Sequence, residues 1–146
     1  MTEVILHGCN GKMGRMVGDL IAADPEITIV AGVDAFDEGK NPFPVFAKIG
    51  DCDVAADAVI DFSVAAAADD LLTYCGERKV PCVLCTTGLS PRQIERVKET
   101  AGRTAILKSA NMSLGINLLL KLLKSAAGIL GPAGFDIEIV EKHHNQ

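Results

Sequence analysis

The chain ends Glu141-Lys142-His143-His144-Asn145-Gln146. Imidazoles titrate near neutral pH, so either histidine can give or take a proton under working conditions. Neighbouring side chains on an extended segment point to opposite faces, so His143 and His144 cannot do the same job. From the residues alone, the pair reads best as surface histidines on an edge strand. A second stretch capable of chemistry is His7-Gly8-Cys9-Asn10-Gly11-Lys12-Met13-Gly14-Arg15. Its glycines fall as G-x-x-G-x-x-G. Small residues there let the backbone turn tightly and approach a pyrophosphate, whose charge is met by amides at a helix N-terminus. Asp34 comes about 20 residues after Gly14, where a carboxylate can accept from an adenosine ribose hydroxyl.

These residues need a scaffold, and the apolar pattern supplies one. Short apolar runs alternate with helix-like stretches, as in a parallel α/β sheet. Val4 to His7 is the first expected strand. Met13, Met16, Val17, Leu20 and Ile21 recur at helical spacing, and Asp24-Pro25 stops that helix. Ile27 to Val33, Ala58 to Phe62, Val80 to Cys85 and Thr104 to Leu107 read as further strands. Asp37 to Pro44 reads as loop. Val64 to Glu77 reads as a helix. Ser90-Pro91-Arg92-Gln93 is a capping box with proline at the first helical position. Ile116 to Leu130 reads as a long buried or amphipathic helix, with Lys121 and Lys124 on its solvated side. The glycine loop therefore joins the first strand to the first helix, and Asp34 ends the second strand. That context is far more specific than the glycine triplet alone.

Three polar segments follow later strands: Asp61-Phe62-Ser63, Cys85-Thr86-Thr87-Gly88 and Ser109-Ala110-Asn111-Met112-Ser113. Ligands of open α/β sheets bind outside the carboxyl ends of the strands. Each segment alone is an ordinary cap or turn. Together, all at the ligand-facing edge, they read as a lining.

The chain end differs. Gly131-Pro132-Ala133-Gly134 is a breaker cluster. Phe135, Ile137 and Ile139 then alternate with Asp136 and Glu138. This half-polar pattern reads as the first strand of a second, one-face-exposed sheet. The division expected is a dinucleotide-binding domain over 1–130 and the start of another domain over 131–146.

Bulk properties narrow the function. The chain has 146 residues, enough for one domain with a core. A net charge of -5 argues against general nucleic-acid binding. Hydrophobic residues are 49%, which argues against disorder. The N-terminus has no basic n-region and does not read as a signal peptide. No apolar run is long enough to suggest a membrane span. Five irregularly spaced cysteines read as reduced thiols of a cytoplasmic protein. Cys82-x-x-Cys85 lies inside a strand-like run without a second pair, so it reads as core and no metal site is expected. His7 reads as a structural histidine at a strand end more readily than as a phosphate ligand.

At this point the residues resemble one family, dihydrodipicolinate reductase, the NAD(P)H-dependent enzyme of lysine (diaminopimelate) biosynthesis. The resemblance runs nearly end to end through GCNGKMG, VIDFS, CTTGLS, SANMSLGINLLLKLL and DIEIVEKHH. It implies a Rossmann-like, doubly wound parallel sheet, then a substrate and tetramerisation domain on a mixed sheet. It implies cofactor contacts from Gly8, Cys9, Asn10, Gly11, Lys12, Met13, Gly14, Asp34, Phe62, Ser63, Thr86, Gly88, Ala110, Asn111 and Met112. Thr87 and His144 would meet the substrate, a small cyclic dicarboxylate, and His143 would be the general acid. Full-length members are expected to be homotetramers.

The family pattern continues H-H-x-x-K and then Pro-Ser-Gly-Thr, so this chain is expected to be mainly the cofactor-binding portion and inactive alone. Its segment Phe135 to Glu141 is expected to pair between copies in a non-native oligomer. Asp34 followed by Ala35 favours NADH, because a carboxylate repels a 2′-phosphate, whereas Lys12 and Arg15 would suit NADPH. NADH is expected to bind at least as well as NADPH. A different Rossmann dehydrogenase and a non-catalytic nucleotide-binding module are the competing readings.

Overall fold

A computed structural model describes residues 1–37 and 39–142. The chain divides into two compact units, Met1–Ala110 and a second beginning at Asn111.

The first unit is built on six parallel strands: β1 (Thr2–His7), β2 (Ile27–Val33), β3 (Val45–Phe46), β4 (Ala58–Asp61), β5 (Cys82–Leu84) and β6 (Ile106–Lys108), in the order β3-β2-β1-β4-β5-β6. This is the Rossmann order, which reverses direction between β1 and β4. Three helices accompany the sheet: α1 (Lys12–Ala22), α2 (Ala68–Arg78) and α3 (Pro91–Ala101). Right-handed crossovers around a reversing order put α1 on one face and α2 and α3 on the other. The expected doubly wound α/β sheet is therefore present.

Burial explains why these short runs form strands. Ile5, Val59, Cys82 and Leu84 meet Leu71, Leu72 and Cys75 of α2 and Val97 of α3 in one core, while Val4 and Leu6 are buried as well. A strand apolar on both sides is stable only as a central strand between helical layers. Ser90 and Gln93 form the expected capping box at the start of α3, with Pro91 at its first position. The Gln93 amide also donates to the Ala65 carbonyl at 2.7 Å, which ties this helix start to the segment before α2.

Two local expectations are revised, and one short strand is added. The Val64–Glu77 helix opens with a 3-10 turn at Ala65–Ala67 before α2 begins. The loop after β2 leads into β3, which adds a short edge strand to the last two residues of β2. Phe135–Glu141 is not a strand. Its alternation is real, but a strand is held by ladder hydrogen bonds, and no described segment pairs with it.

In the second unit, α4 spans Leu114–Leu130 and is capped by Ser113, whose hydroxyl accepts from the Ile116 amide. Lys121 and Lys124 are exposed as expected, but α4 buries none of its residues.

Candidate functional site

The glycine loop fills the gap between β1 and α1, and two of its glycines are required there. Gly8 has φ +80, a conformation side chains rarely adopt, and a Cβ would lie 2.7 Å from the Phe62 carbonyl oxygen. At Gly14 a Cβ would come within 2.0 Å of the Gly8 carbonyl oxygen. The loop thus packs against its own helix and against the end of β4.

Its amides divide by use. Gly8 N–H donates to the Val33 carbonyl at 2.7 Å, Gly11 N–H to the Gly8 carbonyl at 3.2 Å, and Asn10 N–H to Oδ2 of Asp34 at 2.9 Å. The first-turn amides of Lys12, Met13 and Gly14 precede the helix's internal acceptors, and the N-cap Gly11 provides no side-chain cap. These donors, with the positive end of the helix, suit a pyrophosphate.

A cleft of about 640 Å³ runs past this loop, lined by Gly8, Asn10, Gly11, Asp34, Phe62 and Ser63 among others. Six residues expected in the site are thereby brought together, at the point where the strand order reverses. Asp34 is held on three sides: its Oδ1 accepts from the Phe36 amide at 3.2 Å, its Oδ2 from Asn10, and its own N–H donates to the Phe46 carbonyl in β3 at 3.0 Å. Asn10 is also anchored by its side chain, which donates to the Phe36 carbonyl and accepts from Asn41 at 2.9 Å.

The other expected residues fall elsewhere. Cys9 is buried, with its thiol against Gly32, and it does not line the cleft. Burial, and then the nearby Asp34 carboxylate, push its thiol up to about 11, so it stays protonated. Lys12 and Met13 are exposed at the start of α1, and Thr87 and Gly88 are exposed after β5. Thr86 is buried, and its hydroxyl donates to Oδ2 of Asp61 at 2.6 Å. Ala110 ends the first unit. Asn111 and Met112 belong to the second, where Asn111 accepts from the Ser113 amide at 2.8 Å. His143 and His144 lie outside the described residues.

Asp61 and His7 carry more than the sequence suggested. Both are buried, and His7 Nδ1 lies 2.9 Å from Oδ1 of Asp61. Burial alone would raise the Asp61 carboxyl. Contacts from His7, Ser63 and Thr86 outweigh it and hold the group below the usual carboxylate range. Cys82 and Cys85 are both buried, as expected for core thiols. No cluster of three or more histidine, cysteine or acidic residues suited to a metal occurs among the described residues, and none of their helices is long and apolar enough to cross a membrane.

Comparison with solved structures supports the fold. A dipicolinate-bound dihydrodipicolinate reductase from Paenisporosarcina sp. TG-14 superposes with a TM-score of 0.77 at 22% identity, over 88% of this chain and 54% of that one. The WlbA dehydrogenase from Chromobacterium violaceum, solved with NADH and UDP-GlcNAcA, gives a TM-score of 0.67 at 15% identity, over 87% of this chain and 39% of that one. Sequence relatives are nearer. The 4-hydroxy-tetrahydrodipicolinate reductase of Clostridium novyi is 46% identical across 100% of this chain and 58% of its own length. That of Caldanaerobacter subterraneus is 48% identical across 99% of this chain and 57% of its own. The chain thus spans under three-fifths of the curated relatives it matches. A sequence model described as "Dihydrodipicolinate reductase, N-terminus" matches residues 2–112. By that match and these identities, the chain belongs to the dihydrodipicolinate reductase family.

Proposed function

We propose that this chain is the NAD(P)H-binding portion of a cytoplasmic reductase converting 4-hydroxy-tetrahydrodipicolinate to tetrahydrodipicolinate in lysine biosynthesis. The observation that carries this reading is the cleft at the strand reversal, which joins the glycine loop, Asp34, Phe62 and Ser63. The donor set fits a dinucleotide: first-turn amides for the pyrophosphate and a fixed carboxylate for a ribose diol. A bound nicotinamide supplies the hydride. Residues of this chain would hold and orient it, with Lys12, Met13 and Gly14 at the phosphates and Asp34 at the adenosine ribose. Thr87 would lie toward the substrate, with Gly88, Ala110, Asn111 and Met112 toward the nicotinamide. His143 is the proposed proton donor, with His144 at the substrate. Residues 1–130 would make the cofactor half and 131–146 open the substrate half, in a homotetramer when the protein is full length.

Calorimetric titration with NADH and then NADPH tests this. Saturable binding, with NADH at least as tight as NADPH, is expected. No binding of either would remove the cofactor reading.

A further inference from the structure

Asp61 occupies an unusual place. It pairs with His7 at the last rung between β1 and β4, and with Leu84 at the last rung between β4 and β5. It therefore sits beside the point of strand reversal, and it is fully buried. A buried carboxylate is costly unless its oxygens are satisfied, and here they are. Oδ1 accepts from Ser63 Oγ at 2.5 Å and from Ser63 N–H at 3.2 Å, and lies 2.9 Å from His7 Nδ1. Oδ2 accepts from Thr86 Oγ1 at 2.6 Å.

A consequence follows for Ser63. A hydroxyl has one proton to donate, and an ionised carboxylate can only accept. The Ser63 and Thr86 protons are therefore both committed to Asp61. The Ser63 and Thr86 oxygens lie 3.3 Å apart, and neither proton is left for that contact. Ser63 is only half-buried and lines the cleft. It therefore shows the cleft lone pairs and no donor.

We propose that Asp61 is a positioning residue that fixes the Ser63 hydroxyl as an obligate acceptor for an O–H or N–H donor on the nicotinamide riboside half of the cofactor. This rests on the cofactor reading above. The half is chosen by geometry: Asp34 ends β2 on one side of the glycine loop, and Ser63 follows β4 on the other. A dinucleotide with its adenosine ribose at Asp34 extends its second half toward β4.

The test measures affinity of the chain for NADH, ADP-ribose and ADP. Wild type is compared with Asp61→Asn, Ser63→Ala and the double variant, with thermal melts as fold controls. Each single change is expected to weaken NADH about 3- to 10-fold, the value of one hydrogen bond, and to leave ADP unchanged. The double variant should be no worse than Ser63→Ala alone, because Asp61 acts only through Ser63. A loss shared by ADP-ribose assigns the donor to the ribose, and a loss confined to NADH assigns it to the carboxamide. Equal weakening of NADH and ADP, additive effects, or unchanged NADH binding by Ser63→Ala would overturn the proposal. Where Asp61→Asn does not fold, Ser63→Ala carries the test alone, and the NADH-selective loss is required of it. Failure of wild type to bind even ADP would instead overturn the cofactor reading, and this proposal with it.

Discussion

The amide of Asn10 donates to the carboxylate of Asp34 over 2.9 Å, which makes the glycine loop and the end of β2 one mechanical unit. Asp34 is thus both a candidate ribose acceptor and a clamp on the loop. Replacing it should change cofactor choice as well as affinity. Asp34→Ala should weaken NADH by about 10-fold, because a charge-assisted bond and the loop's brace are lost together. NADPH should lose less, since the repulsion of its 2′-phosphate disappears too. Titration of both cofactors checks this. An unchanged ratio of the two affinities would separate Asp34 from cofactor choice.

Gly14 tests the loop by a different route. A methyl group there would meet the Gly8 carbonyl oxygen at 2.0 Å, and backbone cannot swing aside as a side chain can. Gly14→Ala should cost about 1–3 kcal/mol or more in stability through forced displacement of the loop. Nucleotide binding should be lost with it. Chemical denaturation and an NADH titration report the two effects. A stable variant that still binds would mean that the loop can open at no cost.

Much of this arrangement is written in local pattern. The strands β1, β2, β4 and β5 are short apolar runs, and the glycine loop stands out because it separates such a run from a helical repeat. The Ser90–Gln93 box announces α3 by residue type alone. Other parts have no local signature. β3 is two residues long, too short for any period, yet its Phe46 carbonyl receives the Asp34 amide. Asp61 looks like any polar residue closing a strand. Its burial comes from the convergence of His7, Ser63 and Thr86, which lie on three different segments. Phe135–Glu141 has strand alternation without a described neighbour, and pattern alone cannot supply the missing ladder.

Asp61 also predicts a pH dependence. Its carboxyl is held below its ordinary value of 3.8 in the folded chain. The unfolded chain therefore binds this proton first as pH falls, and acid favours unfolding. The stabilising contribution is complete above about pH 4–5 and fades as pH drops through the lower folded value. Urea midpoints of wild type and Asp61→Asn should be well separated at neutral pH and draw together as the pH falls below 3.8. A gap that widened on acidification would show that the carboxylate is destabilised in the fold.

Gln93 joins two helix starts, and its removal should cost more than that of the cap residue beside it. Its side-chain oxygen accepts from the Ser90 amide at 2.9 Å, while its amide nitrogen donates to the Ala65 carbonyl at 2.7 Å and to Asp69 at 3.2 Å. Ser90→Ala removes one half of the capping box, about 1 kcal/mol. Gln93→Ala removes the other half and also strips a partner from the Ala65 carbonyl, so about 2 kcal/mol is expected. The two losses share one box, so the double variant should fall short of their sum. NADH affinity should stay unchanged in all three, because neither residue lines the cleft. Denaturation midpoints measured beside NADH titrations decide it: equal single losses would mean that the link to Ala65 contributes nothing, and weakened binding would tie the α2–α3 contact to the cofactor cleft.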